Sequence, residues 1–132
     1  STIVSADEII VLRDGRIVER GRHVDLLAER DPHPALFDMR FVKPLDEELL
    51  HEIASAFKRV ITIEDGCLPG GFGSAILEFF SDNNYHIQTV RLGIPDAVIE
   101  HGSPEELHAE CGFDIKGIVK AVEKILEPTV LN

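Results

Sequence analysis

Apolar positions along the chain follow two alternating rhythms. From Ala35 onward, short apolar runs suited to buried strands take turns with stretches at helical spacing. Ala35 to Phe41 reads as a strand. Asp46 to Phe57 reads as a helix, with Leu49, Leu50, Ile53, Ala54 and Phe57 on one face, and Val60 to Ile63 as the next strand. The glycine-rich turn Gly70-Gly71-Phe72-Gly73-Ser74 opens a helix through Ala75, Ile76, Leu77, Phe79 and Phe80, and His86 to Leu92 reads as a further strand. Ser103-Pro104-Glu105-Glu106 carries a capping serine, proline at the first helical position and glutamate three residues after the cap. That helix should stop near Gly112, and a last one runs through Ile115, Ile118, Val119, Val122 and Ile125.

The first 34 residues are patterned differently. Glu8 to Leu12 is an apolar run, Asp14-Gly15 is a tight-turn signal, and Arg16 to Glu19 is β-prone. Val24, Leu26 and Leu27 then fall at helical spacing, and Asp31-Pro32-His33-Pro34 must stop that helix because proline cannot continue it. The expected division is residues 1–34, a strand, hairpin and helix joining the sheet as its first βα unit, and 35–132, a regular α/β domain. Strands alternating with helices of this length imply an α/β fold with a mostly parallel sheet and helices on both faces, a three-layer arrangement, because parallel neighbours need helical crossovers.

At 132 residues the chain can bury one ordinary core. A formal net charge of -11, no tryptophan and a single tyrosine argue against a nucleic-acid or anionic-membrane surface, since carboxylates repel both polyanions and stacking platforms are scarce. Cys67 and Cys111 are too few for a disulfide framework and point to a reduced, cytoplasmic setting. No apolar run approaches a membrane span. The chain opens Ser1-Thr2-Ile3 rather than on methionine, which fits a fragment, a processed product or an engineered piece.

Three blocks carry a specific resemblance: RFVKPLDEELL at Arg40 to Leu50, ITIEDGCLPGGFGSAILEF at Ile61 to Phe79, and RLGIPDAVIEHGSPEEL at Arg91 to Leu107, followed by AECGFD at Ala109 to Asp114. In order and spacing they resemble the C-terminal domain of the 1-deoxy-D-xylulose-5-phosphate synthases, transketolase-like transferases. The resemblance implies a domain that completes the fold and dimer contacts of a thiamine-diphosphate enzyme joining pyruvate to glyceraldehyde 3-phosphate in isoprenoid precursor synthesis. It further implies that thiamine diphosphate and magnesium are bound by other domains, that this chain alone is inactive, and that its partners are those domains and, in a homodimer, a second copy. Residues 1–30 resemble instead the tail of an ABC-transporter ATPase domain, without its Walker A sequence or signature loop. This second resemblance implies a chimera, with an ATPase fragment or a non-enzymatic fused module as the alternative functions.

Few residues invite chemistry. Glu64-Asp65-Gly66 with Asn83-Asn84 is similar to the thiamine-diphosphate motif of that enzyme class, but Glu64 replaces its first glycine and the interval is too short. A structural turn is the better reading. Gly70, Gly71, Gly73 and Ser74 stand where free amides and the helix dipole can hold an anion, although tight packing explains glycines there equally well and no P-loop lysine accompanies them. His101 beside Glu100 lacks the converging ligands a metal needs, and His23, His33, His51, His86 and His108 are scattered. Neither cysteine has the histidine of a nucleophilic pair in its motif. No catalytic, cofactor or metal residue is therefore assigned.

Overall fold

A computed structural model of the chain describes residues 9–13, 35–39, 44–96 and 102–127. For Ile9–Arg13, Ala35–Asp38, Pro104 and Ile115 it describes the backbone alone. The hairpin expected at Asp14-Gly15, the helix through Val24 to Leu27, and His23, His33, Glu100 and His101 lie outside the described residues.

Among the described residues four strands, β1 (Ile9–Arg13), β2 (Ala35–Asp38), β3 (Arg59–Cys67) and β4 (Gln88–Ile94), form one sheet in the order β2-β1-β3-β4. Every pairing is parallel, with Ile10 opposite both Ala35 and Val60, and Val60 opposite Thr89. β1 is an interior strand with both edges taken. The helices among the described residues are α1 (Glu47–Ala56), α2 (Phe72–Asp82), α3 (Pro104–Glu110) and α4 (Ile115–Leu126).

Side-chain alternation along β3 divides the core into two layers. Val60 packs with Leu50, Ile53 and Phe57 of the α1 segment and Phe72, Ile76 and Phe80 of α2. Ile61 and Ile63 point the other way, onto Phe113 and α4's Ile118, Val122 and Ile125. Each such side chain, once buried, contributes about 1.5–3 kcal/mol. The parallel three-layer α/β reading holds.

Local chemistry sets the ends of the helices. Asp46 caps α1, its carboxylate accepting the Leu49 N–H at 3.0 Å, with Glu47 and Glu48 favourably placed in the first turn. Ser103 and Glu106 form the expected reciprocal box at α3, at 3.2 and 3.1 Å. Asp114 caps α4 through the Gly117 N–H at 2.9 Å. At Gly112, φ of +80° ends α3 where the sequence places the stop.

Three boundaries differ from the sequence reading. β2 ends at Asp38, with Met39 outside the strand and Arg40 and Phe41 outside the described residues. β4 starts at Gln88 rather than His86, its first pair being Arg59–Gln88. Glu64-Asp65-Gly66 is not a turn. It belongs to β3, where the register slips: Ile63 faces Leu92 but Cys67 faces Ile94, so four steps on β3 match two on β4. This bulge bends the strand and re-aims its side chains.

Candidate functional site

The bulge delivers Glu64 to the amino end of α2. Residue Gly71, which precedes that helix, has no side chain to cap it, and Glu64 supplies the acceptor instead. Its Oε2 accepts the Phe72 N–H at 2.7 Å and its Oε1 the Gly73 N–H at 3.1 Å, both buried, and the residue is only 2% exposed. A carboxylate at this position satisfies two orphan amides and meets the positive end of the helix dipole. The anion at this helix N-terminus is therefore part of the protein.

The surrounding glycines make room for that carboxylate. Gly71 has φ of −88°, an ordinary value, so its requirement is closeness: a Cβ there would run into the Glu64 carboxylate and the Cys67 carbonyl. At Gly73 a Cβ would lie 2.7 Å from Thr62 Oγ1 and 2.9 Å from Arg91 Cδ, and at Gly93 2.8 Å from Glu64 Cγ. Of the glycines in this turn, Gly70, at φ of +71°, needs glycine for its backbone conformation.

Arg91 and Ser74 tie the turn to β4. The Leu68 carbonyl accepts from Ser74 Oγ at 2.7 Å, from Arg91 Nη1 at 3.3 Å and from the Gly71 N–H at 3.3 Å, while Arg91 Nη1 also reaches Ser74 Oγ at 3.0 Å. Thr62 Oγ1 is buried beside this network with no hydrogen-bond partner among the described residues. Of the four residues singled out for anion binding, Gly71 and Gly73 flank Glu64, Ser74 is engaged by Arg91 and Leu68, and Gly70 faces open space.

The residues compared with a thiamine-diphosphate motif do not converge. Glu64 adjoins the start of α2, whereas Asn83 caps its far end and Asn84 follows. Eleven helical residues separate the two ends by about 16 Å. Asp65 instead meets His108 of α3, with Oδ1 and Nε2 3.7 Å apart, and the His108 ring lies 4.6 Å from that of Phe113. Burial, and then the charges of Glu110 and Asp65, push the nearby Cys111 thiol up from its ordinary pKa, which opposes thiolate formation. Cys67 is exposed. His51 Nδ1 pairs with Tyr85 Oη at 2.7 Å, and His86 is exposed.

Among the described residues no group of three or more His, Cys, Asp or Glu could hold a metal ion, and no helix is long and apolar enough to cross a membrane. The sequence reading missed Glu64's part in the site. A glutamate directly after an apolar strand and shortly before a glycine-rich helix start is the available signal, but the local pattern favours a turn there.

Comparison with known proteins decides the family. The model for the transketolase C-terminal domain matches residues 3–118. The chain belongs to the transketolase C-terminal domain family. Its curated relatives include the 1-deoxy-D-xylulose-5-phosphate synthases of Cytophaga hutchinsonii, 52% identical over 127 residues, and Parabacteroides distasonis, 48% identical over 119. These alignments take in 93% and 89% of this chain but 20% and 19% of those proteins, so the chain spans about a fifth of their length. A solved structure titled as a split-gene transketolase, inactive beta4 tetramer, superposes with a TM-score of 0.81 at 29% identity, covering 95% of this chain and 41% of that one.

These matches bear on the head as well. The family match starts at residue 3, and β1, drawn from the head, pairs on both sides with strands of the domain. The expectation of a chimera with an ABC ATPase finds no support, and neither alternative function that rested on it is favoured.

Proposed function

We propose that this chain is the C-terminal structural domain of a 1-deoxy-D-xylulose-5-phosphate synthase, inactive by itself, which completes the fold and the dimer contacts of the larger enzyme. The observation that carries the reading is the pairing of high identity to synthases with coverage of only about a fifth of their length. The closed Glu64 cap supports it, because the helix N-terminus best placed to grip a phosphate already holds a carboxylate of the chain. In this reading thiamine diphosphate and magnesium belong to the other domains of the parent enzyme, which catalyse transfer from pyruvate to glyceraldehyde 3-phosphate for isoprenoid precursors. The partners are those domains and a second copy of the enzyme. Two cysteines without a disulfide fit a reduced, cytoplasmic setting.

An external anion at Gly70, Gly71, Gly73 and Ser74 would have to compete with Glu64, and we assign none. The experiment is direct assay of the purified chain with pyruvate, glyceraldehyde 3-phosphate, thiamine diphosphate and magnesium. Product no higher than in the enzyme-free blank is the expected result. Sustained turnover would overturn the proposal.

A further inference from the structure

We propose that the groove between β4 and α4 receives an extended acidic segment of another part of the parent polypeptide, laid along the edge of β4 that no described strand pairs. The proposal rests on the reading that this domain belongs to a larger protein only for the source of the segment. The groove encloses about 500 Å³, with Val90 and Leu92 of β4 facing Ala121 and Ile125 of α4. Bare backbone widens it at Gly112 and Gly117, where a Cβ on Gly117 would strike the Gly112 carbonyl.

Charge selects the occupant. Lys120 and Lys124, one helical turn apart and both exposed, line the groove, and among the described lining residues Glu127 alone is acidic. On a chain of net charge -11 this local excess of positive charge runs against the whole. An acidic segment is repelled by the chain at large and attracted here, which gives orientation as well as binding.

The sheet edge selects an extended conformation. Among the described residues β4 pairs with a strand on one side only. Natural edges are blunted by proline, outward charge or covering elements. The sequence of β4, QTVRLGI, has no proline, and its one charge, Arg91, is held on the α2 side by Leu68 and Ser74. Unblunted edges beside a side-chain groove suit strand addition, in which backbone hydrogen bonds supply affinity and the groove supplies selection.

The test is a titration of the isotope-labelled chain, followed by amide NMR, with two synthetic heptapeptides: alternating glutamate and valine, and alternating lysine and valine. The acidic peptide should shift the amides of Gln88–Ile94 and of α4 and bind at least tenfold tighter than the basic one. In the double variant Lys120→Glu, Lys124→Glu, whose two positions are exposed and whose fold is checked by circular dichroism, the preference should reverse. No shift along β4 at millimolar peptide, equal binding of the two peptides, or an unchanged preference in the variant would each overturn the proposal. So would decanoate displacing the acidic peptide at equal concentration, which would make the groove a site for a lipid-like anion. None of these outcomes alters the activity assay, so the two readings fall separately.

Discussion

Glu64 Oε2 accepts the backbone N–H of Phe72 at 2.7 Å, a buried bond that joins the bulged end of β3 to the first turn of α2. With the second bond, to Gly73, it places a strand's own carboxylate where ligand-binding α/β proteins often hold a phosphate. Glu64→Gln keeps the size but sets an NH2 group against a backbone donor. Loss of a buried, charge-assisted acceptor should cost about 1.5–3 kcal/mol in urea unfolding. An unchanged midpoint would remove Glu64 from the account of stability.

The turn glycines should separate by mechanism. Gly70→Ala strains a positive φ in open space and should cost about 1–2 kcal/mol. Gly71→Ala drives a methyl into Glu64 and the Cys67 carbonyl, and valine at Gly71 or Gly73 should cost about 1–3 kcal/mol or more. In a Glu64→Ala background the Gly71→Ala cost should shrink while that of Gly70→Ala stays. Equal behaviour of the two positions in calorimetric melting would contradict the distinction.

Cysteine chemistry should be ordered. Exposed Cys67 should alkylate with iodoacetamide at pH 7.5 well before Cys111, whose thiol is both less accessible and raised in pKa by burial and by Glu110 and Asp65. Because the folded chain holds the Cys111 proton more tightly than the unfolded one, this group's contribution to stability falls as pH rises through the ordinary thiol range. Peptide mass spectrometry across pH 7 to 10 checks both order and direction, and earlier labelling at Cys111 would overturn them.

Most of the fold was legible from Ala35 onward because its helices are amphipathic and capped by residues the sequence displays. Asp46, Ser103 with Glu106, and Gly112 all do what their positions announce. The resemblance of residues 1–30 to an ABC-ATPase tail finds no support, since the family match starts at residue 3. The apolar run at Glu8 to Leu12 signals a strand, and Ile9–Arg13 is one, paired on both sides within the sheet. The site was less legible. Local pattern makes Glu64-Asp65-Gly66 a turn, since glycine and acidic residues are poor strand formers, and only the register slip against β4 shows a bulged strand aiming a carboxylate at α2.

The interior place of β1 yields a further test. Ile10 stands opposite Ala35 on one side and Val60 on the other, in a parallel sheet layered between helices. Ile10→Asp should unfold the domain or drive it to aggregate, because such strands leave no solvated side for a charge. A soluble variant that melts with the parent would put the head outside the fold.

The proposed role, service to a thiamine enzyme without holding its cofactor, is decided by calorimetric titration of the purified chain with thiamine diphosphate and magnesium. No saturable heat is expected at cofactor concentrations up to the millimolar range. A saturating isotherm with micromolar affinity would contradict it.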